Sequence, residues 1–464
     1  MVRVFRVFVP TSVIGILISE IVLAFSCYTL ATLFLLEIDP MIDFLYGGGA
    51  GRIAMVVASI ILGIYFTDLY SDLHAASGIR MIQHFCLVIG LAFLVQALMG
   101  YVNRSWVLSR WVMLYGSGMA LVIMPAWRML YANVVMRGVG QRSMLFLGCG
   151  ELVRLIAGRI AEEPKYGYMS LGFLADDAEK QGLPVALGER LGSLGDVTSV
   201  TTARKPALVV AGLEERRGRL PVNELLDLRM SGVTVEEAAN VYETLFGRIS
   251  VLSLRPSQLI FSSSLGPNPR YVSLQTLYST AVALVGLALT GPIMLLVALL
   301  VKITSRGPII YRQCRVGRNG EEFEVFKFRS MYEDAEARTG AIWASRNDPR
   351  ITPLGRWLRK LRLDELPQFF NVLRGEMSIV GPRPERPEFV RTLSEQIPFY
   401  RQRHCVKPGI TGWAQINHKY GDTIEDTIAK LEYDLYYIKN LSPALDLYII
   451  FHTAKVMLLS RGAQ

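Results

Sequence analysis

Two adjacent acids, Asp364 and Glu365, lie inside the run Arg362–Pro384, RLDELPQFFNVLRGEMSIVGPRP. Arg359, Lys360, Arg362 and Arg374 surround them, and Gly381-Pro382-Arg383-Pro384 follows. A carboxylate among so many cations is expected to stay ionised at neutral pH, its pKa pulled down by its neighbours. An ionised Asp serves as a metal ligand, a base or a nucleophile, and the guanidinium and ammonium groups suit a multiply charged phosphate. The acids also have a plainer use: before a helix starting near Pro367 they would favour its positive end. On these residues alone both readings stand.

The surrounding chain narrows the choice. Of its 464 residues 51% are hydrophobic and only 19% charged, which suggests a membrane protein with soluble parts. Five Cys (27, 86, 149, 314, 405) lie far apart without CxxC or a Cys/His cluster, so they read as reduced thiols with no structural zinc. The net charge is +9, and the stretch from Lys302 to Lys407 holds 21 Lys/Arg against 13 Asp/Glu, nearly all of that surplus. The C-terminal part therefore meets something anionic: nucleic acid, lipid headgroups or a phosphorylated small molecule.

Four apolar segments, Val9–Leu36, Ile53–Leu69, Met81–Tyr101 and Trp111–Tyr131, are each long enough, or nearly so, to cross a hydrocarbon layer about 30 Å thick. Arg3 and Arg6 precede the first, and Arg128, Arg137 and Arg142 close the fourth. Glu37, Asp39 and Asp43 sit in the first connecting loop. By the positive-inside bias both ends of this bundle face the cytoplasm, although Arg104 and Arg110 run against it. Apart from Glu20 few charges lie within the segments, so the bundle reads as an anchor or assembly surface rather than a transport path.

The chain changes character at 142. Strand Ser143–Leu147 leads into Gly148-Cys149-Gly150 and a helical run, strand Leu171–Ala175 ends in Asp176-Asp177, and strand Ala207–Ala211 precedes helix Val222–Ser231. Strand–helix alternation predicts a Rossmann-like α/β insert with a parallel sheet. Val153 occupies the third Gly position of GxGxxG, so a degenerate regulatory or scaffolding domain is expected rather than a dinucleotide site. The chain has no Tyr-x-x-x-Lys, which argues against an NAD-using nucleotide-sugar dehydratase. The expected division is a four-helix transmembrane domain over 1–141, the insert over 142–261, a linker over 262–273 and a catalytic domain over 274–464.

Leu274–Val301 is a fifth apolar segment, about 42 Å long as a straight helix. Arg255 and Arg270 precede it and Lys302 and Arg306 follow, so both ends look cytoplasmic. Thr290-Gly291-Pro292 offers a break near its middle, because Pro removes a donor and clashes with the preceding turn. A re-entrant helix over 274–301 satisfies these observations, and a kinked full crossing is the alternative. After Pro308 a β-hairpin is expected, IIYRQCRVG and EEFEVFKFRSM about Arg318-Asn319-Gly320. The helix GRWLRKLR then sets Trp357, Leu358 and Leu361 among Arg356, Arg359, Lys360 and Arg362, a composition suited either to a headgroup layer or to a solvated face.

QCRVG, KFRSM, DPRIT, LDELPQFFNVLRGEMSIVGPRP and KPGITGWAQIN, in this order, resemble the bacterial sugar transferase family, the monotopic polyprenyl-phosphate hexose-1-phosphate transferases. The resemblance runs from Leu274 to the C-terminus, and the preceding bundle and insert resemble the family's long form. Ser330 stands where Thr is usual and Glu376 where Asp is common. The resemblance implies an α-rich monotopic catalytic domain with a Pro-broken re-entrant helix, facing the cytoplasm on the bacterial inner membrane. It implies transfer of a hexose-1-phosphate from a UDP-sugar to undecaprenyl phosphate, with Asp364 as nucleophile, release of UMP, and Glu365 as ligand to Mg²⁺. Lys327, Arg329 and Arg383 are the expected phosphate contacts. Arg350 and Arg315 could serve as further contacts or as structural ion-pair partners. Gln313 and Trp413 read as structural, and His404 and His418 as loop residues. UDP-sugar, undecaprenyl phosphate and membrane lipid are then the partners, nucleic acid drops out, and the bundle and insert are plausible homodimer surfaces. Two other classes stay in view: a lipid-directed glycosyltransferase, against which the missing Asp-x-Asp counts, and a non-catalytic assembly or regulatory protein, against which the intact acid pair counts.

Overall fold

A computed structural model describes residues 1–35, 47–70, 78–132, 141–176, 185–213, 219–251, 254, 266, 269–332, 348–418 and 423–458. Glu37, Asp39, Asp43, Arg137, Asp177, Arg255, residues 262–265 and Asn347 lie outside them. The chain forms two compact units, Val9–Glu236 with Met1–Val2, and Glu237–Gln464 with Arg3–Phe8. Strands β1 (Val2–Val4) and β2 (Val7–Val9) open it as a two-stranded sheet.

Unit one begins with helices α1 (Thr11–Leu35), α2 (Gly49–Phe66), α3 (Gly78–Val102) and α4 (Arg110–Leu130), each long and apolar enough to cross a membrane. They match the four apolar segments to within a few residues. Tyr28, Ile53, Ile60, Phe85, Val88 and Met124 meet in their common core, while Leu94, Leu98 and Val122 stay exposed. Apolar residues all round each helix fit a lipid surround rather than water. A charge pair lies inside: Glu20 of α1, fully buried, takes the Arg128 guanidinium of α4 and the Tyr70 hydroxyl, the latter at 2.8 Å.

The same unit holds a five-stranded sheet of β3 (Arg142–Leu147), β4 (Tyr168–Leu174), β5 (Arg190–Gly192), β6 (Leu208–Ala211) and β7 (Thr234–Glu237). Its order is β5-β4-β3-β6-β7, with β3 parallel to both β4 and β6. Helices α5 (Glu151–Glu162), α6 (Val197–Arg204) and α7 (Val222–Met230) connect the strands. After β3, Gly148 takes φ +87°, a backbone state that favours glycine, and turns the chain into α5. Val153 is fully buried on α5, so the third fingerprint position packs a side chain where a glycine would allow closer helix–strand approach.

Unit two starts with α8 (Ala238–Phe246) and continues into α9 (Pro269–Thr304), 36 residues of unbroken helix that include Pro292. Strands β8 (Ile310–Val316) and β9 (Glu322–Phe328) pair antiparallel, Ile310 opposite Phe328, with Asn319 and Gly320 both at positive φ in the turn as the Asn-Gly signal requires. There follow α10 (Pro353–Lys360), α11 (Gln368–Leu373), β10 (Ser378–Val380), α12 (Pro387–Gln396), β11 (Gly409–Thr411), α13 (Trp413–Asn417), α14 (Ile424–Asn440) and α15 (Pro443–Leu458). The core gathers Val325, Val372, Met377, Val380, Trp413, Leu431, Leu435, Tyr436 and Tyr437. At ~1.5–3 kcal/mol for each large apolar side chain fully buried, this cluster is what fixes α11, β10 and α14 around one centre.

Helix α14 is also clasped from far along the chain. Glu432 accepts from the Tyr242 hydroxyl and the Val251 amide, both at 3.0 Å. Lys439 reaches Glu243 at 2.7 Å, the Tyr436 hydroxyl donates to the Arg6 carbonyl at 2.7 Å, and Arg3 donates to Asn440. Residues 237–251 and 3–8 therefore pack as part of the second unit.

Candidate active site

Thr352 caps α10, its hydroxyl accepting from the Gly355 amide at 2.9 Å, and Pro353 begins the helix with φ already set. Gly355 must be glycine: a Cβ there would lie 1.9 Å from the Ser330 carbonyl oxygen. That close approach lays the end of β9 over the first turn of α10. Helix α10 stops at Lys360, and Arg362 turns the chain with φ +55°, a costly state for a residue with a Cβ. A short 3₁₀ turn, Leu363–Glu365, then carries both acids inward, and both are buried. The helix after them has Pro367 at its N-cap with no side-chain cap bond, so neither acid serves as its cap.

Three elements converge on Glu365. Lys327 of β9 donates to Oε1 at 2.9 Å, Arg383 from the loop after β10 donates to the same oxygen at 2.7 Å, and Arg362 stands 3.9 Å from Oε2. Asn371 sets the register of this assembly. Its amide bonds the Phe326 N–H at 3.0 Å and the Glu324 carbonyl at 2.6 Å, so α11 grips β9 as a neighbouring strand would. Each charge-assisted bond on Glu365 contributes about 1.5–3 kcal/mol.

The two acids differ in electrostatic setting. Burial works against the Glu365 carboxylate, but Arg383 and Lys327 outweigh it and hold its pKa well below the ordinary range. Burial pushes Asp364 up and the neighbouring Glu365 adds to this, while Lys327, Arg359 and Arg383 pull it back. The common depression expected from a cationic neighbourhood thus holds for Glu365 alone. Burial also lowers Lys327, with Glu365 opposing and Arg383 adding.

The other expected phosphate contacts have partners of their own. Arg329 donates to the Ser305 carbonyl and hydroxyl, both at 2.8 Å, at the end of α9. Arg350 is taken by Asp348, two residues before it, with Nε–Oδ1 at 2.8 Å. Arg315 bonds Gln313, the Pro384 carbonyl at 3.0 Å and Glu385 at 3.4 Å. Trp413 stacks on Tyr436 and donates to the Gly247 carbonyl at 2.7 Å, and His418 pairs with Asp426 at 3.1 Å. Sequence reasoning passed over Asn371, Arg403 and Asp434. Nothing in their spacing marks them, since their partners come from distant parts of the chain.

Among the described residues no three His, Cys, Asp or Glu gather into a metal-binding group. Asp364 and Glu365 are adjacent carboxylates at this centre, and Arg362 stands 3.9 Å from Glu365 Oε2. Two carboxylates on adjacent residues are hard-oxygen donors of the type that a Mg²⁺ takes.

Residues 270–460 match the family model described as bacterial sugar transferase. The UDP-glucose:undecaprenyl-phosphate glucose-1-phosphate transferase of Xanthomonas campestris pv. campestris is 35% identical over 390 residues, covering 78% of this chain and 76% of the relative. The chain belongs to the bacterial sugar transferase family. A UDP-N-acetylgalactosamine-undecaprenyl-phosphate N-acetylgalactosaminephosphotransferase of Aeromonas hydrophila is 43% identical over 235 residues, 51% of this chain and 55% of that one. An undecaprenyl-phosphate glucose phosphotransferase of Komagataeibacter xylinus is 50% identical over 189 residues, 40% of this chain and 35% of that one. The chain thus spans about half the length of the first of these two sugar transferases and about a third of the second. The acid pair, Lys327 and Arg383 all fall inside the family-matched region.

Proposed function

We propose that this protein transfers a sugar-1-phosphate from a UDP-sugar to undecaprenyl phosphate at the cytoplasmic face of a bacterial inner membrane. The observation that carries the reading is the buried Asp364–Glu365 pair, one acid neutralised by Lys327 and Arg383 and the other left beside it. A carboxylate oxygen of Asp364 attacks the β-phosphorus of the donor. The bond from that phosphorus to the bridging oxygen breaks, UMP leaves, and a sugar phosphate stays on Asp364 as an acyl phosphate. An oxygen of the lipid phosphate then attacks the same phosphorus, the aspartyl bond breaks, and the carboxylate is regenerated. Lys327 and Arg383, held on Glu365 beside the nucleophile, neutralise the charge that builds on the phosphoryl oxygens at little cost in reorganisation. Glu365, with Asp364, would hold Mg²⁺, which supplies charge neutralisation at the diphosphate when bound.

The five apolar helices supply the membrane association. For α9 we propose a re-entrant path in which the helix stays continuous and bends about Pro292. Its first half bonds the soluble core through Gln275 to Asp446 at 2.7 Å, and its end bonds the same unit through Ser305 to Arg329. A helix with both ends tied to one soluble body favours entry and exit on one face. An accessibility probe at Ser305 should label from the cytoplasm.

Which sugar moves is open to a donor screen. Purified protein with undecaprenyl phosphate, Mg²⁺ and a panel of UDP-sugars should release UMP from one or a few donors. Without acceptor, a donor labelled at the β-phosphorus should leave label on the protein. Release of UDP in place of UMP would make the enzyme a glycosyltransferase and overturn the reading.

A further inference from the structure

The segment that carries Arg383 contains two prolines, Pro382 and Pro384, which lack amide donors, so its carbonyls must find partners elsewhere. They do. The Val380 carbonyl accepts from Gln275 and Tyr437, Pro382 from the Gly409 amide at 3.0 Å, and Glu385 from the Val316 amide at 2.9 Å. The two carbonyls between are taken by arginines: Arg383 by Arg403 at 3.0 Å and Pro384 by Arg315 at 3.0 Å.

Arg403 is the more telling of the two. It is 6% exposed, and Asp434, which faces it, is 2% exposed. Its Nε and Nη2 both reach Asp434 Oδ2, at 3.0 and 2.8 Å, and its Nη1 donates to the Tyr400 hydroxyl at 2.7 Å. Nη2 also makes the bond to the Arg383 carbonyl, so one planar group ties α14, the Tyr400 turn and the loop together. A buried ion pair of this kind gains little stability over apolar side chains of the same volume. What it supplies is geometry: a rigid fork that fixes the backbone of the residue whose own guanidinium holds Glu365 at 2.7 Å.

We propose that Arg403, locked by Asp434 and Tyr400, is a positioning residue for the transfer: it sets the Arg383 backbone so that the Arg383 guanidinium stays on the acid pair and meets the phosphate. Arg403 itself touches no reacting atom. The inference rests on the transfer reaction proposed above. Misplacing a charge-stabilising group by about 1 Å costs on the order of 10²-fold in rate. Arg403→Met with Asp434→Leu removes both charges and keeps the volume filled. This double variant should stay folded, its melting temperature lowered only by the freed Tyr400 hydroxyl and Arg383 carbonyl, lose about 10²-fold in kcat for UMP release, and leave KM for the UDP-sugar within about threefold. In an Arg383→Ala background the same pair should cost almost nothing more, because what it positions is gone. Arg403→Lys should recover part of the rate. A second readout needs no turnover: amide exchange over Val380–Glu388 should speed up in the double variant and stay as it was elsewhere.

Equal losses with and without Arg383, or wild-type kcat and exchange in the folded double variant, would overturn the assignment. If the double variant does not fold, Tyr400→Phe and Arg403→Lys carry the same test with smaller losses, and additivity with Arg383→Ala again decides against it. Wild-type protein that releases no UMP from any donor would instead refute the transfer reaction, and the exchange measurement then still reads the loop.

Discussion

Two buried acids, Glu20 in the apolar bundle and Glu365 in the second unit, meet arginine in opposite ways. Glu20 has one guanidinium, and every group around it is matched: Arg128 Nη2 lies 3.1 Å from Oε2, Tyr70 donates to that oxygen, and Arg128 Nη1 donates to the Leu69 carbonyl at 2.8 Å. The cluster is neutral and closed. Around Glu365 two cations share one oxygen, a second acid stands next to it, and Arg362 and Arg359 add charge of the same sign. That cluster is unbalanced towards positive, so an anion completes it. Burial of a charge is common to both, and what separates structure from chemistry here is the charge left over.

Substitutions sharpen this difference. Asp364→Asn should abolish UMP release and the labelled protein intermediate, a loss of at least about 10⁴-fold, because no other described carboxylate besides Glu365 is at hand to attack. Activity within tenfold of wild type would remove Asp364 as nucleophile. Lys327→Met should lower kcat by about 10²–10³-fold, as loss of one preorganised charge does, with the unfolding midpoint lowered only by what its bond to Glu365 contributes. Glu20→Gln reverses the pattern. Leaving Arg128 without its counter-charge should cost about 3 kcal/mol, seen as a lower unfolding midpoint in detergent, with UMP release per folded molecule unaffected. Glu20→Met with Arg128→Leu should regain most of it, and failure to do so would mean that the pair does more than hold α1 to α4.

The smallest effect comes from His404, whose ring is half-buried and whose Nε2 lacks a hydrogen-bond partner among the described residues. Burial, with Arg403 beside it, takes its pKa down to about 3 from the ordinary 6.5. The folded state therefore resists the proton that the unfolded chain accepts. Stability from this residue is complete above pH 6.5 and is lost progressively as pH falls towards 3, reaching about 2 kcal/mol of loss at pH 5. Unfolding of His404→Gln should show a flatter dependence between pH 7 and pH 5, and an unchanged slope would acquit His404.

How much of this the sequence discloses depends on the reach of each interaction. Long apolar runs gave the bundle helices to within a few residues, and Asn319-Gly320 gave the hairpin, because both signals are local. Strands β5 and β7, three and four residues long, and helix α6 carry too little periodicity to stand out. The Asp348–Arg350 pair is two residues apart and legible in DPR. Arg315 was open between phosphate and structure, and its partners Pro384 and Glu385, some 70 residues on, come to it only by folding. The opposite settings of Asp364 and Glu365 are illegible for the same reason: both see the same neighbours in sequence and both are buried, and only folding sets Lys327 and Arg383 onto Glu365.

The clasp on α14 has a consequence for how the chain is made. Arg3 and Arg6 find Asn440 and Tyr436 across 437 and 430 residues. At about 5–20 residues per second, a ribosome needs roughly 20–90 s to cover that distance. The second unit therefore closes late, with residues 3–8 and 237–251 waiting for α14, and until then those segments are surfaces a chaperone can hold.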